Sequence, residues 1–94
     1  MTAADARVGP VLVDGDASRA VIAAIRELNT DVSVHDRGAY LRVEVPGRCV
    51  VTRAAIERVM GRPFQLPGDL ECIMPSFKGE LSIAGDIATW EVRR

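Results

Sequence analysis

Apolar positions recur along this chain with two different periods, and the periods divide it into elements. Val21, Ala24, Ile25 and Leu28 fall three and four apart, with Arg19, Arg26 and Glu27 on the other side, which predicts a helix over 17–28. Asp14 or Asp16 is placed to cap that helix. Before it, VGPVLV (Val8 to Val13) reads as a strand, which Pro10 should confine to a sheet edge or a strand start because it has no N–H to donate. DVSVHD (31–36) and AYLRVEV (39–45) alternate with period two around Arg37 and Gly38 and predict a β-hairpin. In its second strand Leu41, Val43 and Val45 share one face, and Tyr40, Arg42 and Glu44 the other.

PGR (46–48) interrupts the chain, and CVV (49–51) reads as a further short strand. Thr52 is a good N-cap for a helix over 53–60, and Gly61 falls where a C-terminal cap needs positive φ. Ile56, Val59 and Met60 would be that helix's buried stripe. LECIM (70–74), ELSIA (80–84) and IATWEV (87–92) then read as strands, the last two joined by a turn at Gly85 and Asp86. The order β-α-β-β followed by β-α-β-β-β predicts an α+β fold. It would consist of two joined βαββ-like units, their mostly antiparallel strands packed on two main helices. The expected shared layer is Val21, Ile25 and Leu28 against Leu41, Val43, Ile56 and Val59. Residues 1–7 are small and polar and are expected to form a flexible tail ahead of a single domain over 8–94.

Composition narrows the possibilities. A chain of 94 residues is too short for two independent cores, so the two units should share one. Apolar content of 48% with 27% charged residues suits a globular domain rather than a disordered one. The formal net charge is -1, acids and bases are interspersed, and of the 12 basic residues only Lys78 is a lysine. No basic stripe marks a nucleic-acid partner. A β-α-β-β order also occurs in RNA-binding sheets, but only Tyr40 and Trp90 among the aromatics fall on predicted strands, and no RNP-like run surrounds either. The N-terminus carries no secretory signal, and no apolar run reaches membrane-spanning length. These features predict a cytoplasmic protein, monomeric when free, with no nucleic-acid or membrane partner.

Catalytic chemistry is not legible. His35 is the only histidine and reads as a solvent-facing strand residue, without a second ligand or nucleophile at matching spacing. Asp36, Glu44, Glu71 and Glu80 stand singly, which offers no paired-carboxylate arrangement. Cys49 and Cys72 lack metal-ligand spacing. Each lies in an apolar run, the setting of a reduced core cysteine, and the sequence leaves a bridge between them open. The reading contains no catalytic, cofactor-binding or metal-binding residue.

The stretch GRPFQLPGDLECIMPSFKG (61–79) is unusual: Met74, Pro75 and Phe77 stand ahead of a Lys78-Gly79 turn where polar residues would be ordinary. Either Phe77 folds back onto the second helix, or the turn meets another chain.

VGPVLV ahead of a capped helix, then DRGAYLRVE, VTRAAIE, GRPF and SFKG in that order, resemble the small effector proteins of bacterial multicomponent diiron monooxygenases. These are also called coupling or regulatory proteins, and the similarity is nearest to the toluene/alkene branch and runs from Val8 to about Trp90. The resemblance implies a cofactor-free protein that is not itself an enzyme. It would bind the diiron hydroxylase component, alter substrate and oxygen access, and couple NADH oxidation to hydrocarbon hydroxylation or epoxidation. It also implies that Met74, Pro75, Ser76, Phe77 and Lys78 face the hydroxylase. Methane-type effectors carry small hydroxyl residues at this turn, and Pro75 and Phe77 replace two of them here. The alternative from another class is a small-molecule-sensing domain of the ACT type. Its ligand turn would be at Gly15, where Asp14 and Asp16 would repel a carboxylate ligand.

Overall fold

The computed structural model describes residues 6–93. Its elements are β1 (Arg7–Val13), α1 (Asp16–Leu28), β2 (Ser33–Asp36), β3 (Tyr40–Pro46), β4 (Arg48–Thr52), α2 (Arg53–Met60), α3 (Gly68–Ile73), β5 (Ser76–Lys78), β6 (Glu80–Ala84) and β7 (Ile87–Glu91). All strand pairs are antiparallel, in sheets of order β2-β3-β1-β5 and β4-β7-β6. The two units share one wiring. In β1-α1-β2-β3 the last strand lies between the other two, and in β4-α2-β6-β7 it does so again. The expected α+β pair of βαββ-like units is therefore present, with α3 and β5 inserted between α2 and β6. Because β5 joins the first sheet, the second unit's chain is stitched onto the first.

One apolar cluster runs through both units. Val8, Leu12, Val21, Ile25, Leu41, Val43 and Val45 meet Cys49, Val51, Ile56, Phe64, Leu70, Ala88 and Trp90. Burial of that face is the main stabilising term, at roughly 25 cal/mol per Å² of apolar surface. Leu28 and Val59, expected in this layer, are instead 41% and 40% exposed. Leu28 ends α1 and Val59 falls in the last turn of α2, one turn beyond the buried Ala55 and Ile56, where each apolar stripe runs past the core.

Both hairpins form as expected, with Asp36 opposite Leu41 and Ala84 opposite Ile87. Thr52 caps α2 through its side-chain oxygen, which accepts from the Ala55 N–H at 3.2 Å, and Gly61 ends the helix at φ 76°. At α1 the expectation fails. Gly15 is the N-cap residue and no side chain caps. Asp14 pairs with Arg19 at 2.6 Å, while Asp16 lies in the first turn, where a carboxylate still complements the helix dipole.

LECIM is not a strand. Leu70, Ile73 and Met74 turn inward from α3 and its end, while Glu71 and Cys72 are exposed, which is a helical i, i+3, i+4 pattern. Cys72 therefore lies at the surface while Cys49 is buried, and both are free thiols. Nor is β1 an edge: it lies between β3 and β5. Its ladder to β3 pairs Arg7 and Val8, then Val11 to Val13, and is interrupted at Gly9 and Pro10, where proline has no N–H to give. The expected tail falls on Met1 to Asp5, outside the described residues, and Arg7 already belongs to β1.

Candidate partner-binding site

The apolar turn singled out in the sequence is built from the end of α3 and the whole of β5. Met74 closes α3 and is only 8% exposed, part of the core cluster. The sequence expectation that it stands at the surface is corrected: the helical turn that replaces the expected strand points its side chain inward beside Leu70. Pro75, Ser76, Phe77 and Lys78 are all exposed. They form one continuous strip.

Strand β5 pairs with β1 through Val11 opposite Ser76, Pro10 opposite Phe77 and Gly9 opposite Lys78. By the alternation of a strand, Ser76 and Lys78 then project from the sheet face that also carries Val11 and Arg42, which are themselves a cross-strand pair. Phe77 shares the opposite face with Pro10. Pro10 is buried in mid-sheet, but β5 is the sheet's edge, and Phe77 is left 42% exposed.

Two glycines make this arrangement possible. A Cβ on Gly9 would lie 2.3 Å from the Val43 carbonyl oxygen, and one on Gly79 would lie 2.7 Å from both the Glu91 carbonyl oxygen and a Val8 methyl. Both have positive φ, 150° and 101°. Gly9 lets β1 approach β3, and Gly79 lets the chain pass from β5 in one sheet to β6 in the other.

Outside this strip several polar groups pair within the fold. His35 is exposed on β2, its Nε2 3.4 Å from Glu44 Oε1. Glu57 accepts from the Phe64 N–H at 2.9 Å and from Arg53 Nε at 3.0 Å, and these contacts, the Phe64 N–H foremost, hold its carboxyl below the usual value. Burial pushes the Cys49 thiol up to about 12, so it is inert as a nucleophile near neutral pH. Among the described residues no three His, Cys, Asp or Glu side chains converge as a metal site would require, and no helix is long and apolar enough to cross a membrane.

One contact escaped the sequence reading. The Asn29 side chain follows α1, donates to the Ile25 and Val50 carbonyls at 2.7 and 2.8 Å, and accepts from the Val50 N–H at 3.0 Å. It occupies the free edge of β4 as a short strand would. The only signal was an Asn just past a helix end, which reads equally well as a simple cap.

Two like-wired βαββ units are thus tied by one strand, β5, which carries an exposed aromatic at a sheet edge. The chain belongs to the MmoB/DmpM family, whose profile matches residues 6–91. It is 41% identical over 85 residues to the effector subunit of the alkene monooxygenase system of Xanthobacter autotrophicus (strain Py2), a match covering 88% of this chain and 83% of that protein. Its fold is similar to a chain of a phenol hydroxylase–regulatory protein complex, with TM-score 0.83, 25% identity, and coverage of 94% of this chain and 100% of the other. It is also similar to the regulatory protein B of soluble methane monooxygenase, with TM-score 0.70 and 25% identity over 93% of this chain and 65% of that one.

Proposed function

We propose that this chain is the cytoplasmic effector of a multicomponent monooxygenase. It binds the diiron hydroxylase component and couples NADH oxidation to hydroxylation or epoxidation of a hydrocarbon. The observation that carries the reading is the 41% identity to an alkene monooxygenase effector subunit over nearly the whole chain. The effector supplies no chemistry of its own. It acts as a ligand with unequal affinity for two states of the hydroxylase, shifting the population toward the state with productive substrate and oxygen access. The strip from Pro75 to Lys78 is the contact, with Phe77 as its apolar anchor. Met74 supports the strip from beneath.

The test is a titration of the effector, monomeric when free, into the reconstituted hydroxylase and reductase. Product formed per NADH should rise and level off at stoichiometry with the hydroxylase active sites. Flat turnover and flat coupling across the titration would sink the proposal.

A further inference from the structure

Beside β5 the outward face of the first sheet carries a groove of about 330 Å³, lined by Gly9, Val11, Arg42, Glu44, Ser76 and Lys78 among others. It exists because of the local backbone. Gly9 carries no side chain, and the β1–β3 ladder lapses at Gly9 and Pro10, so the sheet face opens between its flanking rows.

Two cations flank this opening. Arg42 lies on the β3 side, and Lys78 on the β5 side opposite Gly9. Among the described residues neither has an ion-pair partner, whereas Arg19 and Arg58 each have one and Arg53 has two. The one carboxylate in the groove lining, Glu44, has its oxygen 3.4 Å from His35 on β2, so it leans away from β1 and Lys78. The Ser76 hydroxyl projects from the same face and adds a donor. In a chain of net charge -1, this is a local excess of positive charge around a recess with ample room for a side chain.

We propose that this groove receives a carboxylate side chain from the hydroxylase surface, held between Arg42 and Lys78 while Phe77 meets the same partner around the edge of β5. The inference rests on the docking reading above and adds to it a chemical class of contact. An Arg guanidinium offers paired donors to a carboxylate, and a desolvated pair of this kind sets orientation and encounter rate as well as affinity.

The experiment measures affinity for the cognate hydroxylase at low and high salt for the wild type, Arg42→Gln, Lys78→Gln and the double variant. Arg48→Gln, an exposed charge on β4, serves as the control for net charge. Each groove variant should bind about five- to tenfold more weakly at low salt. The double variant should lose most of the salt dependence, and Arg48→Gln should behave as wild type. Because Lys78 is the only lysine, zero-length carbodiimide cross-linking of the complex gives a second readout. A peptide joining Lys78 to an Asp or Glu of the hydroxylase is expected, and it should vanish in Lys78→Arg, which retains the charge. An unchanged double variant, or a complex that forms without that cross-link, overturns the inference while leaving the docking reading intact. A wild type that binds the hydroxylase at no salt concentration overturns both.

Discussion

Phe77 leaves a signature that separates docking from folding. An aromatic at 42% exposure on an edge strand contributes less to the core than a buried one, and is desolvated only when a second surface covers it. Phe77→Ala should weaken hydroxylase binding by roughly 1–3 kcal/mol. Its effect on folding should stay well below the ~3–5 kcal/mol of a buried Phe. Chemical denaturation and a binding titration on the same variant check this, and a large loss of stability with normal binding would return Phe77 to the core. Glu57 is expected to leave the opposite signature, because its contacts lie within the fold. The Phe64 N–H and Arg53 lower its pKa in the folded state, so the carboxylate stabilises the protein above its unfolded value of 4.5. That contribution is lost as pH falls through the lower folded value. Melting temperature should therefore drop more steeply below pH 4.5 in the wild type than in Glu57→Gln, which keeps an acceptor for the Phe64 N–H. Parallel profiles would mean that the carboxylate charge is irrelevant to stability.

Between elements, the Asn29 amide adds hydrogen bonds to the apolar packing that joins α1 to β4. Asn29→Ala would leave the Val50 N–H and carbonyl without their partners, at a cost of ~1–3 kcal/mol if water cannot replace them. Faster hydrogen exchange at the Val50 amide, with exchange in β7 unchanged, is the expected readout, and an unchanged Val50 amide would make the contact incidental. Elements with a strong period were legible in the sequence: α1, α2 with its Thr52 and Gly61 caps, and both hairpins. The segment from Leu70 to Lys78 was not. Its apolar run is short enough to satisfy a buried strand and a one-turn helix alike, and only the tertiary setting chose the helix. That choice turned Met74 inward and Cys72 outward, and the strand begins only at Ser76 rather than at Leu70. Pro10 misled for a related reason. A proline excludes one ladder hydrogen bond, not a neighbouring strand, and β1 accommodates it by interrupting the ladder to β3 while pairing with β5. Of the five residues the sequence singled out in the apolar turn, Pro75 to Lys78 are exposed and Met74 is buried. The groove beside that turn was invisible, because a cross-strand row such as Arg42, Val11 and Ser76 exists only once the register is known.

At the scale of the whole molecule, the internal repeat raises the question of whether the two units are separable. Each unit alone has three strands and one main helix, too little to bury a core of its own at this length. The apolar cluster does not divide: Val8 of the first unit touches Gly79 at the crossing between sheets, and β1 lies against β4 and β7. The first sheet also borrows β5 from the second unit's chain, so unfolding either unit strips the other of a strand or a wall. One cooperative transition is the expected consequence. Trp90, the only tryptophan, is fully buried in the second sheet and reports that unit by fluorescence, while Cys49 beside it reports by thiol labelling. Ile25 is fully buried on α1, in the other unit. Ile25→Ala should cost ~2–5 kcal/mol, and the Trp90 transition should move with denaturant as far as the far-ultraviolet circular dichroism does. Cys49 should become labelled in that same transition, whereas exposed Cys72 reacts throughout. A Trp90 transition that stays in place while the circular dichroism splits in two would mean that the units fold independently, and that β5 tethers them without coupling them.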